Sequence, residues 1–491
     1  MYESTIPTFA ISVPARRKPR RWLVWILSVP LFAGLAYMSL AFYLNGQNER
    51  ELRKAEAEAD LLDPGWRLSD LEAARAPVPD SENGALQLLA AAKLVPASWP
   101  KLPPPAKDDR WGDRLLELAP QMRPGRKLLD AMDEAMKQVL PGLAEARRLA
   151  AYPRGHYGIT WSNKLLLQTA ITHLDLVHRI QRVLSVDAVM LAERGDMSGA
   201  AQSCLALLNV GRSIGDEPLP ISQIFRVNCQ LAAERSMERL LAQGEPSAAV
   251  LQKLQQELED EAAQPLLLRA FRSYRATMHQ DLAALQSGQV DRRSLRLVNP
   301  YGLPDQALTW NDTWRARACH PDYLRYLNEL VEVAKLPPEQ QSPRLDKLEL
   351  PSIQKPTISF LLEIPDKQLR ALHHRFLAAV ALLRCAETGL AIERYRRDSQ
   401  RWPGALADLV PVYLRQAPRD PFDGAVLRYR HLEDGVVIYS IGPDGLDHHG
   451  QLKRDMQTFE GFDLGFQLWN AANRRQSAAA DLDDEIDRDE S

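Results

Sequence analysis

Carboxylate and imidazole side chains lie close together near the C-terminus of the chain. Asp444, Asp447, His448 and His449 fall within one short stretch. Side chains of these two types can hold a transition metal, which accepts imidazole and carboxylate ligands. Adjacent histidines seldom reach the same ion, however, and aspartate beside glycine, as at Gly445, is typical of a tight turn. The stretch therefore predicts a turn, with a transition-metal site as the alternative.

The other histidine pairs do not have a catalytic or metal-binding spacing. His173 and His178 are five residues apart, whereas a helical zinc pair has its two histidines four apart. His373 and His374 are adjacent in a predicted helix, so we expect one at the core edge and one towards solvent. The sequence contains no GxSxG, HExxH or Walker-type glycine motif. We interpret these histidines as structural. A hydrolase site built from scattered carboxylates and histidines is the alternative.

A long helix, a loop and two strands are predicted to position the C-terminal residues. Apolar side chains recur at helical spacing over 366–399, and the pattern changes after Trp402-Pro403. The runs VLRYRHL (426–432) and GVVIYSI (435–441) then have the composition of strands. The Asp434-Gly435 dipeptide between them predicts a hairpin turn.

This C-terminal part resembles the globular domain of type II secretion major pseudopilins. The resemblance runs from Tyr395 to Asp463 and Leu464, and it implies a small α+β domain with an antiparallel sheet behind a long helix. The pseudopilin leader, with its Gly cleavage site, and the early Glu of the pseudopilin membrane helix are not seen here. We therefore expect the fold of that family without its pilus assembly. The motifs that carry the resemblance are WP (402–403), LVP (409–411), PRDPFDG (418–424), LRY (427–429) and YSIGPDG (439–445).

The resemblance also implies a calcium site in the C-terminal loop. Calcium takes six to eight oxygen ligands, which carboxylates and carbonyls in a tight turn can supply. The matching positions are Asp444 and Asp463, and Asp447 lies in the loop between them. His448 and His449 count against calcium, because that ion avoids nitrogen ligands. Ca²⁺ at Asp444, Asp447 and Asp463 is thus one expectation, and plain turns are the other.

One membrane-spanning helix is predicted at the N-terminus. Residues 22–44 contain no charged side chain. As a helix they span roughly 34 Å, which is enough for a hydrocarbon core of ~30 Å. Trp22, Trp25 and Tyr43 stand near the ends, where aromatic rings favour the headgroup layer. The alternative is a cleaved signal peptide, but its apolar region would normally be shorter.

The flanking charges predict the orientation of this span. Five Lys or Arg residues lie in 16–21, and three, Arg50, Arg53 and Lys54, follow the span. Positive charge stays on the cytoplasmic side, so residues 1–21 are predicted to be a cytoplasmic basic tail. The body is then extracytoplasmic, attached to the inner membrane of a bacterial cell by a single pass.

The body is predicted to be a mainly α protein with an irregular helical domain over 45–335. Residues 45–62 favour helix and would continue the span as a stalk. Ser69 and Glu72 have the spacing of a capping box. Apolar residues from Leu165 to Ile180 recur at helical spacing and predict one helix. A helix pair around Gly195-Asp196 resembles a tetratricopeptide unit, but no repeat array is present.

Three further segments complete the predicted organisation. Residues 336–357 are rich in proline and charge and predict a linker. Residues 358–472 form the pseudopilin-like domain, and we predict that a fragment starting near Ile358 folds alone. Residues 473–491 end in an acidic tail, which is predicted to be disordered. The stretch DPGWRLSDLEAARAPVPDSENG (63–84) also looks like part of an uncharacterised family of bacterial envelope proteins.

Charge and cysteine content exclude some functions. The net charge is −3, with +4 in residues 1–21 and −6 in residues 481–491. The body between them is near neutral and has no concentrated basic stripe, so we do not expect nucleic-acid binding. The four cysteines are far apart and form no CxxC motif. We predict a non-enzymatic protein whose partners are the membrane and other envelope proteins, with a link to secretion or envelope assembly.

Overall fold

A computed structural model describes residues 21–100, 115–116, 118–163, 165–287, 310–349, 366–452 and 461–477. It is mainly helical, as predicted, with a small antiparallel sheet near the C-terminus. Of the tails predicted over 1–21 and 473–491, residues 1–20 and 478–491 lie outside the described residues. The helices are α1 (Arg21–Leu62), α2 (Leu68–Ala73), α3 (Gly84–Lys93), α4 (Arg126–Lys137), α5 (Leu140–Arg147), α6 (His173–Glu193), α7 (Met197–Arg212), α8 (Pro220–Gln243), α9 (Ala248–Ala262), α10 (Leu266–Gln286), α11 (Trp310–Lys335), α12 (Pro338–Leu345) and α13 (Asp366–Ser399).

Helix α1 is 42 residues long and joins the apolar segment to the predicted stalk without a break. It is long and apolar enough to cross a membrane, and the apolar part does not pack against the body. The stalk part does pack, because Ala55 and Ala59 are fully buried with Leu324 of α11 and with Trp66. The helix ends at Leu62, and Gly65 follows with φ of +75°. The stalk is thus a helix that lies against the body.

The pair α6 and α7 is the helix pair predicted around Gly195-Asp196. Gly195 has φ of +82°, a conformation that other residues seldom adopt. The Asp196 side chain then accepts the backbone N–H of Gly199 at 2.8 Å and caps α7. Both helices bury apolar side chains in the main core.

Two local predictions are wrong. The α-helix predicted from Leu165 begins only at His173, because the Asp281 carboxylate of α10 accepts the Leu166 N–H at 2.6 Å and the preceding chain forms only a short 3-10 helix, Leu166–Gln168. The capping box at Ser69 does not form, because α2 already begins at Leu68 with Arg67 at its N-cap. At α6 a contact with a distant residue, Asp281, decides where the helix starts.

The C-terminal sheet has three antiparallel strands in the order β1-β2-β3. They are β1 (Arg428–His431), β2 (Gly435–Ser440) and β3 (Leu464–Trp469). The hairpin from β1 to β2 is confirmed, and β3 was not predicted. Every residue of the central strand β2 is buried. Gly435 is required there, because a Cβ would lie 1.9 Å from the Leu468 carbonyl oxygen.

Helix α13 connects this sheet to the helical body. It packs against β2 and β3 and also against α8 and α9. One buried cluster contains Leu254 of α9, Leu390 of α13 and Phe466 of β3. Part of the predicted linker is helical, as α12, and Leu345 in it is buried. The core therefore continues from the helices into the sheet.

Candidate functional site

The C-terminal loop brings two of the three predicted calcium ligands around one histidine. His448 Nδ1 lies 3.7 Å from an Asp463 oxygen, and its Nε2 lies 3.9 Å from an Asp444 oxygen. Asp463 is fully buried and accepts the backbone N–H of Gly450 at 2.7 Å and that of His448 at 3.2 Å. Burial raises the pKa of Asp463.

The third predicted ligand, Asp447, is engaged elsewhere. It accepts the Tyr439 hydroxyl at 3.2 Å and the His449 N–H at 2.8 Å. Asp444 accepts the N–H groups of Leu446 and Gly461 at 3.0 and 2.9 Å. Over the described part of the chain, no group of three or more His, Cys, Asp or Glu side chains gathers as a metal site. The hydrogen bonds are those of the predicted turns, and calcium binding stays a prediction.

Calcium binding has a direct test in the thermal stability of the protein. If Asp444 and Asp463 hold the ion, calcium at ~100 times its dissociation constant adds roughly 2.7 kcal/mol to the free energy of unfolding. The melting temperature of the protein should then rise by a few degrees. D444A should remove most of the rise, and magnesium should produce less of it because it needs tighter octahedral geometry. Equal melting curves with calcium and with chelator would contradict the site.

The DPFDG motif has a structural role at the end of β2. The Asp420 side chain is fully buried and accepts hydrogen bonds from Ser440 Oγ at 2.8 Å and Ile441 N–H at 3.0 Å. Arg428 of β1 also donates to it, at 2.6 Å. This carboxylate therefore ties the loop to two strands and is not available to a ligand.

A second polar cluster joins the segment before α6 to the turn between α7 and α8. His173 Nε2 lies 2.9 Å from Glu217, and Tyr157 stacks on the His173 ring with centroids 4.3 Å apart. The Tyr157 hydroxyl contacts Ser213 Oγ at 3.2 Å. Ser213 and Glu217 have no exposed surface. A substrate cannot reach this serine, so the cluster fits a structural role.

Three of the four thiols are too deeply buried to act as nucleophiles. All four cysteines are free, and Cys204, Cys229 and Cys385 are buried. Burial raises the pKa of each of these three thiols. Because the thiolate is the reactive form, these cysteines are inert at neutral pH.

A cavity of about 350 Å³ lies between α6, α8, α13 and the C-terminal loop. Asp463 and Phe462 of the loop form part of its wall, so it adjoins the predicted calcium ligands. Its polar residues come at helical spacing, as with Asn228, Arg235 and Arg239 on α8. The sequence did not predict the cavity. The stripe of polar residues on the buried helix α8 is the sequence feature from which the cavity could have been predicted. The predicted structural histidine His178 also lines it.

Two arginines at the cavity differ in what they bind. Arg239 is buried and donates to the carbonyl oxygens of Leu118, Ala119 and Met122, so it holds that segment in place. Burial lowers the pKa of Arg239 to about 10. Arg375 is half-buried and donates to Asn228 Oδ1 at 2.5 Å. Burial lowers its pKa as well.

Comparisons with protein-family models, with curated proteins and with solved structures found no match to this chain.

Proposed function

We propose that this chain is a single-pass protein of the bacterial inner membrane whose body is extracytoplasmic and acts by binding other envelope proteins. The resemblance of the C-terminal domain to pseudopilins points to a role linked to secretion or envelope assembly. The protein is non-enzymatic in this proposal. Its helical body holds the small α+β domain at a set place above the membrane.

The observation that carries the proposal is the docking of the stalk onto the body. Asp63, just after α1, is buried and accepts hydrogen bonds from Arg272 and Arg275 of α10. Arg325 of α11 pairs with Glu51 and Glu58 of the stalk, both at 3.0 Å. An anchor fixed by ion pairs and by burial holds the body in one orientation, as a scaffold or adaptor requires.

A membrane-anchored hydrolase is the alternative. It needs a nucleophile within hydrogen-bond reach of a base, at a surface that a substrate can reach. Ser213 and the three buried cysteines lack such access. The polar groups that line the cavity are mainly guanidinium, amide and carboxylate groups, which suit binding, and of its two serines Ser236 donates its hydroxyl to the Ala232 carbonyl at 2.8 Å. These features favour the binding role.

In vivo photo-cross-linking tests the binding role. A photoreactive residue in place of Leu446, which is 61% exposed in the C-terminal loop, should cross-link to one or a few discrete envelope proteins. The matched control is the same replacement of Leu140, which is 54% exposed at the start of α5. The same products from both positions, or none from Leu446, would count against binding through the C-terminal domain.

A further inference from the structure

Arg375 presents a cation to the cavity, and no carboxylate among the described residues forms an ion pair with it. Its one hydrogen bond within the described residues goes to the neutral amide of Asn228. Its Nε atom is buried and has no hydrogen-bond partner. A buried donor left unpaired costs free energy, and a cation costs more. A half-buried guanidinium with an unpaired donor can bind an anion.

The carboxylates that line the same cavity are already occupied. Glu238 accepts the Gln467 N–H at 2.9 Å, and Asp463 accepts the two backbone N–H groups of its own loop. Glu234 also has an interaction within the protein. None of them forms an ion pair with Arg375. The charge of Arg375 is therefore left for a ligand.

The rest of the cavity wall is largely apolar. Leu231 of α8, Leu382 of α13 and Leu464 of β3 contribute to it. The lining residues of α8 extend from Asn228 to Arg239, three helical turns or roughly 16 Å. The volume is within the usual range of small-molecule sites.

We propose that this cavity binds a ligand with one carboxylate on an elongated apolar body, with the carboxylate on Arg375 and Asn228 beside it. The planar guanidinium can donate two parallel hydrogen bonds to a carboxylate. The Asn228 side chain orients the guanidinium through its oxygen. The apolar body of the ligand lies against Leu231, Leu382 and Leu464. This goes beyond the proposed function, since a ligand-binding site can serve an adaptor or any other role.

Calorimetric titration of the full chain in lipid nanodiscs tests the site, with empty nanodiscs as the blank. Octanoate and an apolar tripeptide with a free C-terminus are the probes, because an acyl chain and a polypeptide end share this chemistry. Octanol and the amidated tripeptide are their uncharged counterparts. We expect at least one acid to bind, and its counterpart to bind about tenfold more weakly or worse. Binding of only one acid identifies the source of the carboxylate.

Three variants complete the test. R375M should weaken binding of the acid by about tenfold or more, the loss expected when a charged hydrogen bond is removed. N228D should do the same in a folded protein, because the new aspartate pairs with Arg375 internally. R415M changes an arginine that is 84% exposed, and it should bind like the original. The proposal is overturned if neither acid binds, or if R375M and N228D bind the acid as tightly as the original protein does.

Discussion

D63A is expected to lower the free energy of unfolding by ~3–5 kcal/mol, because it breaks a buried ion pair and leaves a buried cation unpaired. Asp63 is 4% exposed, and the Arg275 side chain that donates to it is fully buried. The fully buried Trp66 lies against Arg275, and the centroid of its ring is 5.2 Å from the Arg275 guanidinium carbon. Urea denaturation of the full chain in detergent, followed by tryptophan fluorescence, measures the change. The stalk over 45–62 should also become sensitive to protease.

The effect of Asp63 should depend on pH in a defined direction. Burial opposes the charged form, but hydrogen bonds from Arg272 and Arg275 prevail and lower the pKa of Asp63. A carboxyl group whose pKa is lower in the folded than in the unfolded protein stabilises the folded state at pH values above its unfolded pKa of ~3.9. That contribution is lost as the pH falls through the pKa of the folded protein. The difference between D63A and the original protein should therefore be full near pH 7 and shrink in acid.

D60N is the matched control for D63A. Asp60 also pairs with an arginine, Arg67, but its side chain is 49% exposed, and an exposed pair contributes under ~1 kcal/mol. Asparagine keeps an oxygen to accept the Trp66 indole N–H, which donates to Asp60 at 2.9 Å. A D63A protein no less stable than D60N would show that the stalk is not held by Asp63.

A fragment that begins at residue 358 is expected to show no cooperative thermal transition. The sequence predicts that it folds alone, but the packing favours the opposite outcome. Leu390 and Phe466 share their core with Leu254, which the fragment lacks. Arg394 donates to Gln255 at 2.8 Å, and Gln467 N–H donates to Glu238. Without α8 and α9 the apolar face of α13 would be exposed to water.

Co-expression of the two parts of the chain supplies the control. Residues 1–349 and 358–491 produced together should associate and recover a cooperative transition, because the missing core is then present. Circular dichroism during heating measures both samples. A sharp transition in the fragment alone would support the domain boundary predicted from the proline-rich segment.

Local patterns predicted the parts of the fold that depend on neighbouring residues. The uncharged run and the charged stalk predicted α1, and the Asp434-Gly435 turn predicted the hairpin from β1 to β2. Strand β3 was missed, although Leu464, Phe466 and Leu468 alternate with other residues, because its pairing with β2 depends on a distant segment. The start of α6 was misplaced because Asp281 lies more than 100 residues from the Leu166 N–H that it accepts.

Of the two candidate sites, the sequence identified the C-terminal loop but not the cavity. Asp444 and Asp463 could be chosen from the resemblance, and the fold does bring both beside His448. The cavity could not be predicted, since Asn228 and Arg375 come together only when α8 packs on α13. Whether an arginine has a carboxylate partner depends on its surroundings in the fold, and the sequence around Arg375 is that of an ordinary helix.

The side of the membrane on which the body lies is the central claim, and a reporter fusion tests it most directly. Alkaline phosphatase, which is active only outside the cytoplasm, is fused after residue 491, and a cytoplasm-active reporter is fused at the same place in a parallel strain. Five Lys and Arg residues lie in 16–21 and only three follow the span. This asymmetry predicts that the phosphatase is active and that the cytoplasm-active reporter is inactive. Protease added to spheroplasts should then degrade the body. An inactive phosphatase, together with a body that is protected from protease, would contradict the account.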